Sequence, residues 1–124
     1  IRDLSLDYPD FLIASSEWFA FVPAKEYFDE PGDHADELET SVMMHYHPEL
    51  VNLDEAGDGN YKKFASQMLN EKVAWIPRNW QKVSQDTGIG NPKKASAEKG
   101  KKYAEAVVAK YALLFEELVH KELY

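Results

Sequence analysis

Ten consecutive residues, Gly32-Asp33-His34-Ala35-Asp36-Glu37-Leu38-Glu39-Thr40-Ser41, carry one imidazole and four carboxyl groups. His34 and Glu37 stand three apart, a spacing that puts them on one face of a helix. An imidazole beside a carboxylate is a donor set for a divalent ion, or a proton donor with a partner for its charge. Glu39, five positions from His34, points elsewhere unless the first helical turn is irregular. A solvated acidic helix start explains the same residues, because carboxylates suit the positive end of a helix dipole. Spacing leaves both readings open.

The remaining candidates are weaker. Trp18 and Phe19 offer flat apolar walls for a planar small molecule, and core packing suits them equally. His45 and His47 form a His-x-His pair whose spacing fits a strand better than the helix expected there, so they read as surface or packing histidines. Trp75 and Trp80 flank Pro77 and read as core or subunit-contact residues. His120 lies at a charged helix end and reads as solvated.

These side chains sit on 124 residues, 44% apolar and 13% aromatic, enough for one small domain or a piece of a larger one. The net charge of −8 has the wrong sign for a protein that tracks nucleic-acid phosphates. With no cysteine, disulfides and thiolate metal sites are excluded, and a reducing cytoplasm fits. No apolar run approaches the ~18 residues of a membrane span, so no membrane partner is expected. The chain opens on Ile1 rather than Met, in a charged amphipathic stretch, which suggests a truncated or processed chain.

The elements follow from periodicity. Ile1, Leu4 and Tyr8 predict the end of a helix closed by Pro9. Phe11-Leu12-Ile13-Ala14-Ser15 and Val73-Ala74-Trp75-Ile76 are short apolar runs bounded by Pro or Asp, the pattern of strands buried in a parallel sheet. A brief extended segment is expected at Val51-Asn52-Leu53. Helices are predicted over 23–28, 33–46 and 61–70, and a long one from Ser96, as N-cap, to Leu123. That last helix puts Ala104, Val107, Val108, Tyr111, Leu114, Phe115 and Leu118 on one stripe. Short apolar strands alternating with amphipathic helices predict an α/β fold: a layered, largely parallel central sheet flanked by helices.

His34-Ala35-Asp36-Glu37-Leu38-Glu39-Thr40-Ser41 resembles the His-Ala-Gly-Glu-x-Glu-Thr-Ser signature of the creatininase (creatinine amidohydrolase) family. Asp36 stands where Gly is usual, which narrows the room beside the site. Two further segments resemble the same family: Met43 to Val51, and the turn Gly88-Ile89-Gly90-Asn91-Pro92 with the helix start Ala95 to Gly100. The resemblance agrees with a layered α/β architecture and implies that residues 1–124 form the C-terminal half of one creatininase-like domain. Its N-terminal half would carry the Glu-x-His, Asp and Asn-Gly-His ligands of a two-metal centre.

The implied activity is metal-dependent hydrolysis of a non-peptide C–N bond in a small cyclic amide or formamide, with a metal-bound hydroxide as nucleophile. The cofactors would be two divalent ions, Zn, Mn or Fe. His34 would be the catalytic proton donor, Glu37 a metal ligand, and Glu39 an orienting carboxylate or alternative ligand. Trp18 stands as a substrate-pocket wall. The family's members also imply a homo-oligomer, such as a hexamer. The competing expectation is a non-catalytic α/β subunit or assembly module that keeps the signature without a complete metal site.

Overall fold

The helix that was expected to begin at Asp33 begins at Glu37 in the computed structural model, which describes residues 1–122. Ahead of it, the backbone of His34 pairs with Ile89 in an isolated antiparallel bridge. Ala35 then adopts a left-handed conformation with φ +48°, which no helix can pass through. Asp36 restarts the chain as N-cap, its Oδ1 accepting from the Glu39 N–H at 2.9 Å, and thereby satisfies one of the orphan donors of the first turn.

In chain order the helices are α1 (Arg2–Asp7), α2 (Glu37–Tyr46), α3 (Gln67–Asn70), α4 (Trp80–Val83) and α5 (Ala97–His120). Short 3₁₀ turns occupy Trp18–Ala20, Ala24–Glu26, Pro48–Leu50, Leu53–Glu55 and Pro92–Lys94. The helix end expected before Pro9 is present as α1. Residues 23–28 hold only a single 3₁₀ turn, and the helix expected over 61–70 is confined to α3. The last helix begins as expected, with Ser96 Oγ capping the Lys99 N–H at 3.3 Å; it ends at His120, and Leu123 lies outside the described residues.

The largely parallel central sheet is not present. Among the described residues no strand forms, and the apolar runs at 11–15, 51–53 and 73–76 have no ladder partner. A strand buried on both faces exists only where neighbouring strands complete its hydrogen bonds and helices cover it. Here Phe11 is 69% and Trp75 83% exposed, so neither condition is met. The described chain is a helical piece held on an α2–α5 pair.

That pair crosses closely because two small residues meet. A Cβ built on Gly100 would lie 1.9 Å from the Ser41 carbonyl oxygen, so α5 can approach α2 only with glycine there. Ser41 is fully buried, and its Oγ accepts from the Ser96 N–H at 3.1 Å. Beside this crossing Tyr103, also fully buried, packs with Phe28, Leu38 and Val107. Its ring meets Trp18 and Tyr27 edge-on, and its hydroxyl donates to the Phe19 carbonyl at 2.8 Å. No helix among the described residues is long and apolar enough to cross a membrane.

Candidate active site around His34

The bridge to Ile89 places His34 beside the start of α2 rather than on it. Asp33 and His34 both donate their N–H groups to the Ile89 carbonyl, at 2.8 and 3.1 Å, and Ile89 N–H returns a bond to His34 oxygen at 2.8 Å. Gly90 makes this possible. Its φ is +126°, and a Cβ on it would lie 2.7 Å from Asp36 Cβ. Asp36, in the position the family fills with Gly, is buried, and it spans the break by accepting from the N–H groups of Gly32 and Glu39.

The irregular turn changes which carboxylate meets the imidazole. Glu39, not Glu37, faces it: Glu39 Oε2 lies 3.5 Å from His34 Nδ1 and accepts the Ala35 N–H at 2.7 Å. His34 is 46% and Glu39 38% exposed, so both are open to solvent. Glu39 also lines an open groove of about 450 Å³ with Ala35, Thr40, Met43, Leu53 and Gly90. His34 itself does not line the groove, and its partner there is Glu39; an imidazole paired with a carboxylate can hold a proton and pass it on.

Glu37 turns inward. It is fully buried, with Oε1 receiving the Lys99 ammonium at 2.5 Å and Oε2 the Glu30 N–H at 2.6 Å. Lys99 also bonds Asp29 and the Lys94 carbonyl, and the two carboxylates hold it protonated above the usual lysine range. Both oxygens of Glu37 are thus committed to protein donors. Among the described residues no group of three or more His, Cys, Asp or Glu side chains could hold a metal ion. The described residues do not fit a metal centre by themselves.

Trp18 faces the core, edge-on to Tyr103 with ring centroids 6.1 Å apart, and it does not line the groove beside Glu39. His47 lies 3.3 Å from Glu49, and His45 packs on Tyr46. Arg78, which periodicity passed over, and Trp80, expected from the sequence as a core or subunit-contact residue, stand at the site instead. The Arg78 guanidinium grips Asp33 with two bonds of 2.6 and 2.7 Å, holding that carboxyl below the usual range, and the Trp80 ring lies 5.1 Å from the His34 ring. Nothing in the local pattern signals them, because 45 residues separate Asp33 from Arg78.

Three comparisons with known proteins bear on this geometry. The family model described as Creatininase, creatinine amidohydrolase, matches residues 2–115. The crystal structure of a protein named "putative creatinine amidohydrolase" from Bacteroides fragilis is similar at 62% identity with a TM-score of 0.92, over 100% of this chain and 49% of that one. No curated protein matches. The chain therefore spans about half the length of the solved structure it resembles. With the family model covering residues 2–115 and the signature running from His34 to Ser41, this chain belongs to the creatininase family.

Proposed function

We propose that the chain is the C-terminal half of a metal-dependent amidohydrolase that cleaves a non-peptide C–N bond in a small cyclic amide or formamide, with His34 as the proton donor. The observation that carries this reading is the half-exposed His34 imidazole, its Nδ1 held 3.5 Å from Glu39, which lines the groove, in a chain of the creatininase family. When the C–N bond breaks, the departing nitrogen needs a proton, and an imidazole titrates close to neutral pH, which suits it to give one. Glu39 would keep Nδ1 engaged, leaving Nε2 for the substrate. The Ala35 N–H fixes Glu39 in turn.

The divalent ions implied by the resemblance take their ligands, in this reading, from the half of the fold that the chain does not span. Glu37 serves as an internal tie between α2, α5 and the 29–30 loop rather than as a ligand. The intact protein is proposed to be a homo-oligomer, a reading supported by the exposed apolar side chains Leu113, Phe115 and Val119 along α5.

The test is His34→Ala in the full-length protein, assayed against small cyclic amides and formamides. The expected result is a kcat roughly 10²–10⁴-fold lower with metal content unchanged. Glu39→Gln should lower kcat by a smaller factor. A His34→Ala variant that keeps full activity would remove His34 from the reaction.

A further inference from the structure

Four side chains close a ring around the base of His34. The Arg78 guanidinium grips Asp33, the residue before His34, through both carboxylate oxygens. The same guanidinium carbon lies 5.6 Å from the centroid of the Trp80 ring. Trp80 in turn lies 5.1 Å from His34, with the two rings inclined by 50°. The opposite constraint comes from Glu39 at Nδ1. A paired fork is more rigid than a single-point ion pair, and a guanidinium stacked on indole adds attraction to the aromatic face.

We propose that Arg78 and Trp80 are positioning residues for His34. The Arg78–Asp33 fork fixes the 78–80 segment against the loop before α2, and the indole then limits rotation of the imidazole so that Nδ1 stays with Glu39. Trp80 and Arg78 touch no reacting atom in this arrangement; they act through His34. The proposal rests on the reading of His34 as a proton donor, but the clamp itself can be measured without any reaction.

NMR of the full-length protein, labelled at histidine, tryptophan and tyrosine, reads the clamp directly. His34 ring protons should be shifted by the indole ring current and should show cross-peaks to Trp80. Trp80→Leu should return the His34 signals to the positions of an unstacked imidazole, whereas Trp80→Phe should keep most of the shift. Arg78→Gln should weaken the cross-peaks between His34 and Trp80, and Arg78→Lys should restore them only in part, since an ammonium cannot make the fork. Unchanged His34 signals in Trp80→Leu, with the Tyr103 core signals intact, overturn the clamp. If Trp80→Leu fails to fold, the comparison of Trp80→Phe and Arg78→Gln with the parent decides: undiminished cross-peaks in Arg78→Gln, or a ring-current shift lost in Trp80→Phe, overturn it.

In the full-length enzyme, Trp80→Leu should lower kcat by up to about 10²-fold with little change in KM, the pattern of a misplaced group rather than lost binding. Loss of the clamp signals with kcat unchanged overturns the positioning role. A parent enzyme without amidohydrolase activity overturns the reading of the reaction, and the NMR result still decides the clamp.

Discussion

Asp33 and Glu37 lie four residues apart and answer pH and mutation differently, because one carboxylate is partly solvated and the other is sealed. The Arg78 hydrogen bonds hold the folded Asp33 carboxyl below its ordinary value of 3.8. A group with a depressed folded pKa stabilises the fold above its unfolded pKa, and that contribution is lost as the pH falls through the folded pKa. Both partners are about one-third exposed, so screening limits the gain, and Asp33→Asn should cost about 1 kcal/mol or less at neutral pH. In urea melts the gap between parent and variant should close as the medium is acidified below the carboxylate range. Glu37→Ala, by contrast, leaves the Glu30 N–H without its acceptor and Lys99 with only Asp29 and the Lys94 carbonyl, empties a fully buried position, and should destabilise the metal-free chain by roughly 1–3 kcal/mol. Unchanged stability of the metal-free Glu37→Ala chain, together with reduced metal content of the full-length variant, would favour the ligand role.

The α2–α5 crossing sets two opposing effects against each other. Gly100→Ala gains about 1 kcal/mol of helix propensity within α5. The added methyl falls 1.9 Å from the Ser41 oxygen, and the helices must part or the backbone bend, at a typical cost of 1–3 kcal/mol or more. The contact is with backbone, which cannot swing aside, so the clash should win and the variant should melt at a lower temperature than the parent. An equal or higher melting temperature would mean that the helices separate without cost. Gly90→Ala should be worse for the site, because a side chain at φ +126° is strained and meets Asp36; loss of the His34–Ile89 bridge should appear as faster amide exchange at Ile89.

At the scale of the molecule, the described chain keeps a small core around Tyr103 and leaves much apolar surface open. Tyr103→Phe removes one bond to the Phe19 carbonyl and should cost about 1 kcal/mol, whereas Tyr103→Ala empties the centre of the core and should cost roughly 3–5 kcal/mol. Leu6, Phe11, Leu12, Trp75, Phe115 and Val119 are all more than half exposed. Exposed apolar surface of this kind suits the proposed homo-oligomer. Light scattering on the full-length protein should find an oligomer at micromolar concentration, and a monomer there would remove the homo-oligomer proposal.

The sequence alone was sufficient for the signature from His34 to Ser41, the start of α5 at Ser96, the end of α1 before Pro9 and the family, because caps, proline stops and a contiguous motif are local features. It misassigned the short apolar runs at 11–15, 51–53 and 73–76, since a run of that length looks alike in a strand and in a loop, and only a neighbouring strand makes it a sheet. Tertiary structure decided the site. The bridge of His34 to Ile89 and the positive φ of Ala35 delay the helix to Glu37, which exchanges the roles that spacing suggested: Glu39 meets the imidazole and Glu37 is buried on Lys99. The contacts of Arg78 and Trp80 with the His34 loop join segments more than 40 residues apart, and no periodicity within either segment encodes a contact that exists only once the chain has folded back on itself.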